Sequence, residues 1–164
     1  MRTETLFDRL GRATNTSAFG IAFVLLRVAF GVMFLLSGIS KFGDWSASAY
    51  LSASTGPFAA WFQSLAGNGF VDALNAWGML LIGSALLLGL LVRPAAVGGM
   101  VLMALYYFAH FTENTMNGYV DAHVIYALVF FLFATGGAGH AFGLNAIAMR
   151  SLRRPNGFAK FMLG

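Results

Sequence analysis

The sequence contains no cysteine and very few charged residues. Among its 164 residues, Lys, Arg, Asp and Glu together make up only 10%. Without cysteine the chain can form no disulfide, no thiolate metal site and no cysteine-held iron–sulfur cluster. The shortage of charge excludes an ordinary soluble domain, in which about 25% of residues are charged. Lipid must therefore cover part of the surface.

What the chain has instead is apolar sequence, with 59% hydrophobic residues and a mean hydropathy of +0.74. A helix of roughly 20 residues crosses a bilayer core of about 30 Å. We predict an all-α integral membrane protein, a four-transmembrane-helix bundle with spans at about 17–40, 71–92, 94–111 and 121–138. The membrane domain then covers 17–144, between a cytoplasmic tail at 1–16 and a cytoplasmic amphipathic segment at 145–164.

The basic residues predict the orientation. Of the ten Lys and Arg residues, Arg27 lies inside the first span and Lys41 just beyond its end. The other eight lie in the two tails and in the turn at Arg93-Pro94. Because Lys and Arg collect on the cytoplasmic side, we expect both termini inside and loop 42–70 outside. The formal net charge of +4 is then explained by topology rather than by nucleic acid. We expect a multi-pass protein of a prokaryotic plasma membrane.

The long outer loop at 42–70 is rich in aromatic residues. Trp45, Tyr50 and Trp61 lie there among Ser, Ala and Gly. Trp and Tyr prefer the headgroup level of a bilayer. We predict one or two short interfacial helices over the outer mouth, broken around Gly56-Pro57.

Arg27 needs a reason to lie within an apolar span, since an intramembrane charge costs at least about 2.5 kcal/mol. Either its guanidinium snorkels to the inner leaflet and packs, or it contacts an anionic or quinone-type ligand. Gly31, Gly38 and Lys41 recur at helical spacing on roughly the same face. Small residues let helices approach closely in lipid, and we expect the same of Gly78, Gly83, Gly89, Gly98 and Gly99.

Titratable residues gather at the outer helix ends. His110 and His123 are candidates for proton transfer, because histidine exchanges protons near neutral pH. The candidate ligand contacts are Arg27, Lys41, Trp45, Trp61, Asn75, Glu113 and Asp121. We expect Trp45 and Trp61 to roof a pocket there. The alternative is that these are solvated helix ends, with Asp121 capping the fourth helix.

A haem held in the bundle would need two histidines facing each other across the core. His110 and His123 lie instead at the outer edge of adjacent spans, and His140 lies on the other side. We therefore predict no haem, no metal site and no covalently bound cofactor.

The first span and its neighbours resemble the DoxX family of small four-helix membrane proteins. The resemblance covers about residues 20–150. It rests on the Arg, Gly, Phe, Gly and Lys pattern of Arg27, Gly31, Phe34, Gly38 and Lys41, on the segment 83–90 with Arg93, on Met103 and His110, and on the segment 137–145.

The aromatic outer loop, with its Thr55-Gly56-Pro57-Phe58 turn, is similar to the DoxD branch, the membrane subunit of thiosulfate:quinone oxidoreductase. The chain departs from many relatives at Asn75 and Asn145, where they carry acidic residues. The resemblance implies a quinone-linked redox role, with a quinone as ligand at the outer mouth. Its partners would be the lipid bilayer and either another membrane or redox subunit or further copies of the chain.

Two other functions fit the same sequence. The chain could be a non-catalytic accessory or scaffold subunit of a larger respiratory membrane complex, which its small size and its glycine-rich helices favour. It could also transport a small solute, although four helices and a single buried charge favour this least.

Overall fold

The computed structural model describes residues 17–136, except the side chains at 17 and 115–117. The predicted tails at 1–16 and 145–164 lie outside this part of the chain. Residues 17–136 are helical, with one isolated β-bridge between Thr55 and His110 and no strand. The helices are α1 (Ser17–Ile39), α2 (Ser48–Ser52), α3 (Ala59–Ser64), α4 (Gly69–Leu88), α5 (Val92–Ala109), a 3-10 helix (Phe111–Asn117) and α6 (Ala122–Thr135).

Three helices are long and apolar enough to cross a membrane. They are Ala18–Ile39, Gly69–Leu88 and Val92–Ala109. The apolar helix α6 has only 14 residues, which is about 21 Å of helix against a bilayer core of about 30 Å. The described part of the chain, residues 17–136, is thus all-α with three such helices, and the fourth span at 121–138 stays a prediction.

Glycines bring α1 and α4 into backbone contact. A Cβ added at Gly83 would lie 2.3 Å from the Leu35 nitrogen, and one at Gly38 would lie 2.5 Å from the Leu80 nitrogen. These pairs, together with Gly31 against Leu87, follow an antiparallel register along the two helices. The close approach is possible only because glycine has no side chain, as expected for packing in lipid.

Aromatic rings join this first helix pair to the second, in which α5 packs against α6. Gly99 on α5 leaves room for the Phe130 ring, since a Cβ there would lie 2.5 Å from it. From α1, Phe30 meets the edges of Phe130 and Phe133 at centroid distances of 5.7 and 5.8 Å, and Phe34 meets Phe130 at 5.0 Å. Edge-to-face pairs at such distances stabilise beyond simple burial, so these rings form the centre of the core.

The turn between α4 and α5 lies earlier than predicted. Gly89 adopts a left-handed conformation (φ 62°) and ends α4 at Leu88, and the Leu90 nitrogen donates to the Ala85 carbonyl at 3.0 Å. Glycine takes this conformation without a Cβ penalty. Pro94 therefore lies inside the first turn of α5, where its missing N–H removes no helical hydrogen bond. Gly89 therefore acts as the C-terminal cap of α4.

Gly78 and Gly98 also differ from the expectation of close packing. A Cβ at Gly78 would meet nothing within 4 Å, and the nearest atom to one at Gly98 is Ile82 Cδ1 at 3.8 Å. Both glycines line an open apolar groove of about 700 Å³ between α4 and α5, which also includes Ser84. These two helices thus diverge where the other neighbouring pairs pack closely.

The segment between α1 and α4 folds back onto one end of the bundle. Its two short helices lie on either side of Gly56, which has a positive φ of 90°. Asp72 Oδ1 accepts a hydrogen bond from the Ala47 nitrogen at 2.8 Å, and the Thr55 nitrogen donates to the Ala109 carbonyl at 2.8 Å. We call the end of the bundle that carries residues 40–68 and 110–121 the outer end.

Candidate functional site

Arg27 lies far from the outer end. Its side chain is 2% exposed, so protein encloses it and it does not lie along the lipid surface. It is flanked on α1 by the core residues Phe23 and Phe30. Fourteen residues separate it from Lys41, which is about 21 Å along a helix. The structure therefore does not bring Arg27 together with the other predicted site residues.

Lys41 and Trp45 form a contact of their own at the outer end. The Lys41 ammonium lies 4.6 Å from the centroid of the Trp45 ring, a cation–π geometry. Burial lowers the pKa of Lys41. Trp45 packs in turn against a small apolar core that includes Ala47 and Phe62. The pair therefore fixes the chain as it leaves α1, and its positive charge stays at this end of the bundle.

Trp61 does not form the roof expected of it. Its ring packs against Phe62 at 4.7 Å and remains 53% exposed. Phe58 and Tyr119 are similarly exposed at this end. Exposed aromatic rings on the outer segment suit a headgroup environment, so Trp61 is part of that surface rather than part of an enclosed pocket.

A tyrosine that the sequence did not single out lies at the centre of the site. Tyr106 on α5 exchanges hydrogen bonds with the Asn75 amide of α4, at 2.7 and 2.9 Å. Its ring also meets Tyr50 and His123, each at a centroid distance of 5.7 Å. One signal was present: a tyrosine within an apolar span must find a partner for its hydroxyl, and Asn75 was the nearest polar group at that level.

His110 lies between Tyr50 and Glu113. Its Nδ1 is 3.0 Å from Glu113 Oε1, its Nε2 is 3.2 Å from the Tyr50 carbonyl, and its ring lies 4.2 Å from the Tyr50 ring. Both ring nitrogens are thus engaged with oxygen atoms of the protein. Burial, followed by Tyr106, Glu113 and Asp121, raises the pKa of Tyr50 to about 12, so Tyr50 stays neutral.

His123 has a different arrangement. Its Nδ1 hydrogen-bonds Asp121 Oδ2, while Asp121 Oδ1 accepts from the Val124 nitrogen at 3.0 Å and caps α6. Burial alone would raise the pKa of Asp121, but the bonds from His123 and Val124 outweigh it and lower the pKa. The His123 side chain is 31% exposed, and its Nε2 makes no hydrogen bond to the described residues. The carboxylate therefore orients the ring, which stays partly exposed.

Together these groups form the outer polar cluster, which consists of Tyr50, Asn75, Tyr106, His110, Glu113, Asp121 and His123. It contains two histidine–carboxylate pairs joined through the rings of Tyr50 and Tyr106. Such pairs move protons, because the carboxylate orients the imidazole and stabilises its cation. Within residues 17–136 no group of three or more His, Asp or Glu side chains could hold a metal ion.

Comparison with known families accounts for much of this chain. A sequence model described as DoxX matches residues 22–112, which is more than half of the chain. The match includes Arg27, Lys41, Asn75 and His110, and it ends before Asp121 and His123. Neither the curated proteins nor the solved structures give a match. With its apolar helices and this match, the chain belongs to the DoxX family of membrane proteins.

Proposed function

We propose that the protein has a quinone-linked redox role of the thiosulfate:quinone oxidoreductase type, with its ligand at the outer polar cluster. The observation that carries the proposal is His123, whose Nδ1 is held by Asp121 and whose side chain is 31% exposed. A quinone takes up two protons on reduction, so its site needs a group that can deliver them close to neutral pH.

The proposed reaction couples the oxidation of thiosulfate to the reduction of a quinone. Two thiosulfate ions lose two electrons and join through a new S–S bond as tetrathionate. The quinone gains those two electrons and two protons and becomes a quinol. In this scheme the His123 imidazolium donates from Nε2 to a quinone oxygen, and Asp121 stabilises the imidazolium. Lys41 supplies positive charge near the approach of the anion.

The two histidines have different roles in this proposal. His110 already uses both ring nitrogens within the protein, so it supports the cluster and its charge. His123 uses only Nδ1 in hydrogen bonds to the described residues and is the group that meets the ligand. Arg27 belongs to the core of the bundle, about 21 Å along α1 from Lys41.

The test is quinone reduction with thiosulfate by the purified protein, with its partner subunits, in lipid. We expect His123→Gln to lower the rate by about 10²–10⁴-fold, the usual contribution of general acid–base catalysis, and His110→Gln to lower it far less. Trp61→Phe serves as a control on the exposed surface. Equal losses in the two histidine variants would contradict the assignment, and inactivity of the wild type with its partners would contradict the redox role.

We further propose that α6 continues into a fourth membrane span, with both termini on the cytoplasmic side of a prokaryotic plasma membrane. The close packing of α6 on α1 and α5 supports this. So does the distribution of basic residues, eight of which lie in the tails and the α4–α5 turn region.

A second candidate is an accessory subunit of a larger membrane complex. The observation that favours it is the groove between α4 and α5, where Gly78 and Gly98 leave open space rather than close contacts. A helix of a partner subunit would fill such a groove. Gentle purification tests this: Gly78→Phe should release a co-purifying membrane subunit, and Ala29→Phe, on the exposed face of α1, should not.

A further inference from the structure

A second opening lies beside the outer polar cluster, between α5 and α6. It has a volume of about 340 Å³ and is lined by Met103, Ala104 and Tyr107 from α5 and by His123, Ala127 and Phe131 from α6. A volume of this size is within the range of small-molecule sites. From His123 to Phe131 the opening follows α6 for about 12 Å, so it runs from the outer end toward the middle of the bundle.

The opening faces away from the core. Phe130 and Phe133 point into the bundle and are fully buried, whereas Leu128 and Phe131, on the other side of α6, are 59% and 58% exposed. Because the exposed faces of these apolar helices meet lipid, a ligand can reach the opening from within the bilayer. It need not pass through the aqueous phase or through the outer segment.

Its two ends differ in chemistry. The walls are almost entirely hydrocarbon, and the two lining residues with polar groups, Tyr107 and His123, both belong to the outer end. The Tyr107 hydroxyl is occupied, since it donates to the Tyr119 carbonyl at 3.0 Å. His123 is the other lining residue with polar atoms, and its Nδ1 is held by Asp121 while Nε2 has no hydrogen bond to the described residues. That combination suits an amphiphile with an oxygen-bearing ring as head and an apolar tail.

We propose that the opening between α5 and α6 is a lateral, bilayer-facing binding site for such an amphiphile, with the tail along Ala104 and Phe131 and the head oxygen at His123 Nε2. The proposal rests on the proposed function in one respect: the amphiphile is taken to be a quinone. Asp121 is a positioning residue here, because it touches His123 and not the ligand.

The absence of cysteine from the chain permits a site-specific test. Leu128→Cys places a single bimane label at the opening. Leu36→Cys is the matched control, because the pairing of Phe34 with Phe130 places Leu36 at about the depth of Leu128. The two leucines are also almost equally exposed, at 60% and 59%.

The labelled proteins are placed in nanodiscs and titrated with decylubiquinone, which quenches bimane. We expect saturable quenching of the bimane at position 128. At position 36 we expect only quenching that rises linearly as decylubiquinone partitions into the membrane. Adding Ala104→Phe, which fills the opening from α5, should abolish the saturable part, whereas Ala29→Phe on α1 should leave it unchanged. Identical quenching curves at 128 and 36 would overturn the proposal.

The head contact has its own test. In the 128-labelled protein, His123→Phe should weaken the saturable binding of decylubiquinone at least tenfold, while His110→Phe should change it less than threefold. Decane, which has the alkyl tail but no quinone ring, should not compete with decylubiquinone. Competition by decane as strong as by the quinone would show an acyl-chain groove only and would overturn the assignment of the head to His123. Binding at 128 without any quinone reduction would contradict the redox role and leave the site standing.

Discussion

Tyr106 shows how a single hydroxyl can organise a site at the end of an apolar helix. It holds the Asn75 amide by hydrogen bonds and places its ring between Tyr50 and His123. The polar residues of the cluster come from α2, α4, α5, the 3-10 helix and the start of α6. Tyr106 contacts three of the other residues in the cluster, Tyr50, Asn75 and His123. Its loss should therefore perturb the whole cluster.

Removing that hydroxyl should destabilise the protein measurably. In Tyr106→Phe the Asn75 amide is left partly buried without its partner, and an unsatisfied group of this kind costs about 1–3 kcal/mol. The matched control is Tyr107→Phe, whose hydroxyl donates to the exposed Tyr119 carbonyl and should matter by less than about 0.5 kcal/mol. Unfolding in detergent followed by tryptophan fluorescence measures both, and equal effects would contradict the central position of Tyr106.

Because of Asp121, the stability of the folded protein should decrease as the pH becomes acidic. Its pKa in the folded protein is lowered, so its contribution is present above the unfolded value of about 4 and is lost as pH falls through the lower folded value. Asp121→Asn keeps an oxygen for the Val124 N–H but loses the charge. We expect the melting temperature of the variant to lie about 2–4 °C below wild type at pH 7, and the difference to shrink as the pH falls below the unfolded pKa of about 4. A difference that grew toward low pH would contradict this sign.

For single residues, the sequence predicted which residue types the site contains better than it predicted which residues contact each other. His110, Glu113, Asp121 and His123 could be grouped because they all occur at the same helix ends. Arg27 was grouped with them through shared spacing with Lys41, yet the length of α1 keeps the two apart. Tyr50 and Tyr106 were not predicted as site residues. A tyrosine in an apolar stretch indicates that its hydroxyl needs a partner, but it does not identify which residue distant in sequence supplies that partner.

At the scale of elements, glycines divide into two classes that look alike in sequence. Gly31, Gly38, Gly83 and Gly99 lie against neighbouring atoms, whereas Gly78 and Gly98 line the open groove. Which class a glycine belongs to depends on the rotation of its helix toward a neighbour. The lengths of α1, α4 and α5 follow from apolar runs, but those runs do not determine this rotation.

The two classes predict opposite responses to the same substitution. Gly83→Ala forces a Cβ to within 2.3 Å of the Leu35 nitrogen and should destabilise the bundle by about 1–3 kcal/mol or more. Gly78→Ala meets nothing within 4 Å and should be neutral or stabilising by up to about 1 kcal/mol. Detergent unfolding of the two variants side by side is the measurement. Similar losses in both would mean that α1 and α4 do not pack through Gly83.

For the whole molecule, the number of membrane spans decides where the two tails lie. Four spans place both tails on one side and three spans place them on opposite sides. Since the chain has no cysteine, single cysteines report this directly. We expect Thr3→Cys and Ser151→Cys to react with an impermeant maleimide only after the cells are permeabilised, and Ser52→Cys in the outer segment to react on intact cells. Labelling of Thr3→Cys and Ser151→Cys from opposite sides would contradict the fourth span.

We propose that the ligand of this DoxX-family protein binds at the outer end, beside His123, and not at the buried Arg27. A crystal structure grown in lipidic mesophase with decylubiquinone tests it most directly. We expect ring density within hydrogen-bonding distance of His123 Nε2, with the tail between α5 and α6. Ring density at Arg27, or in the groove between α4 and α5, would contradict it.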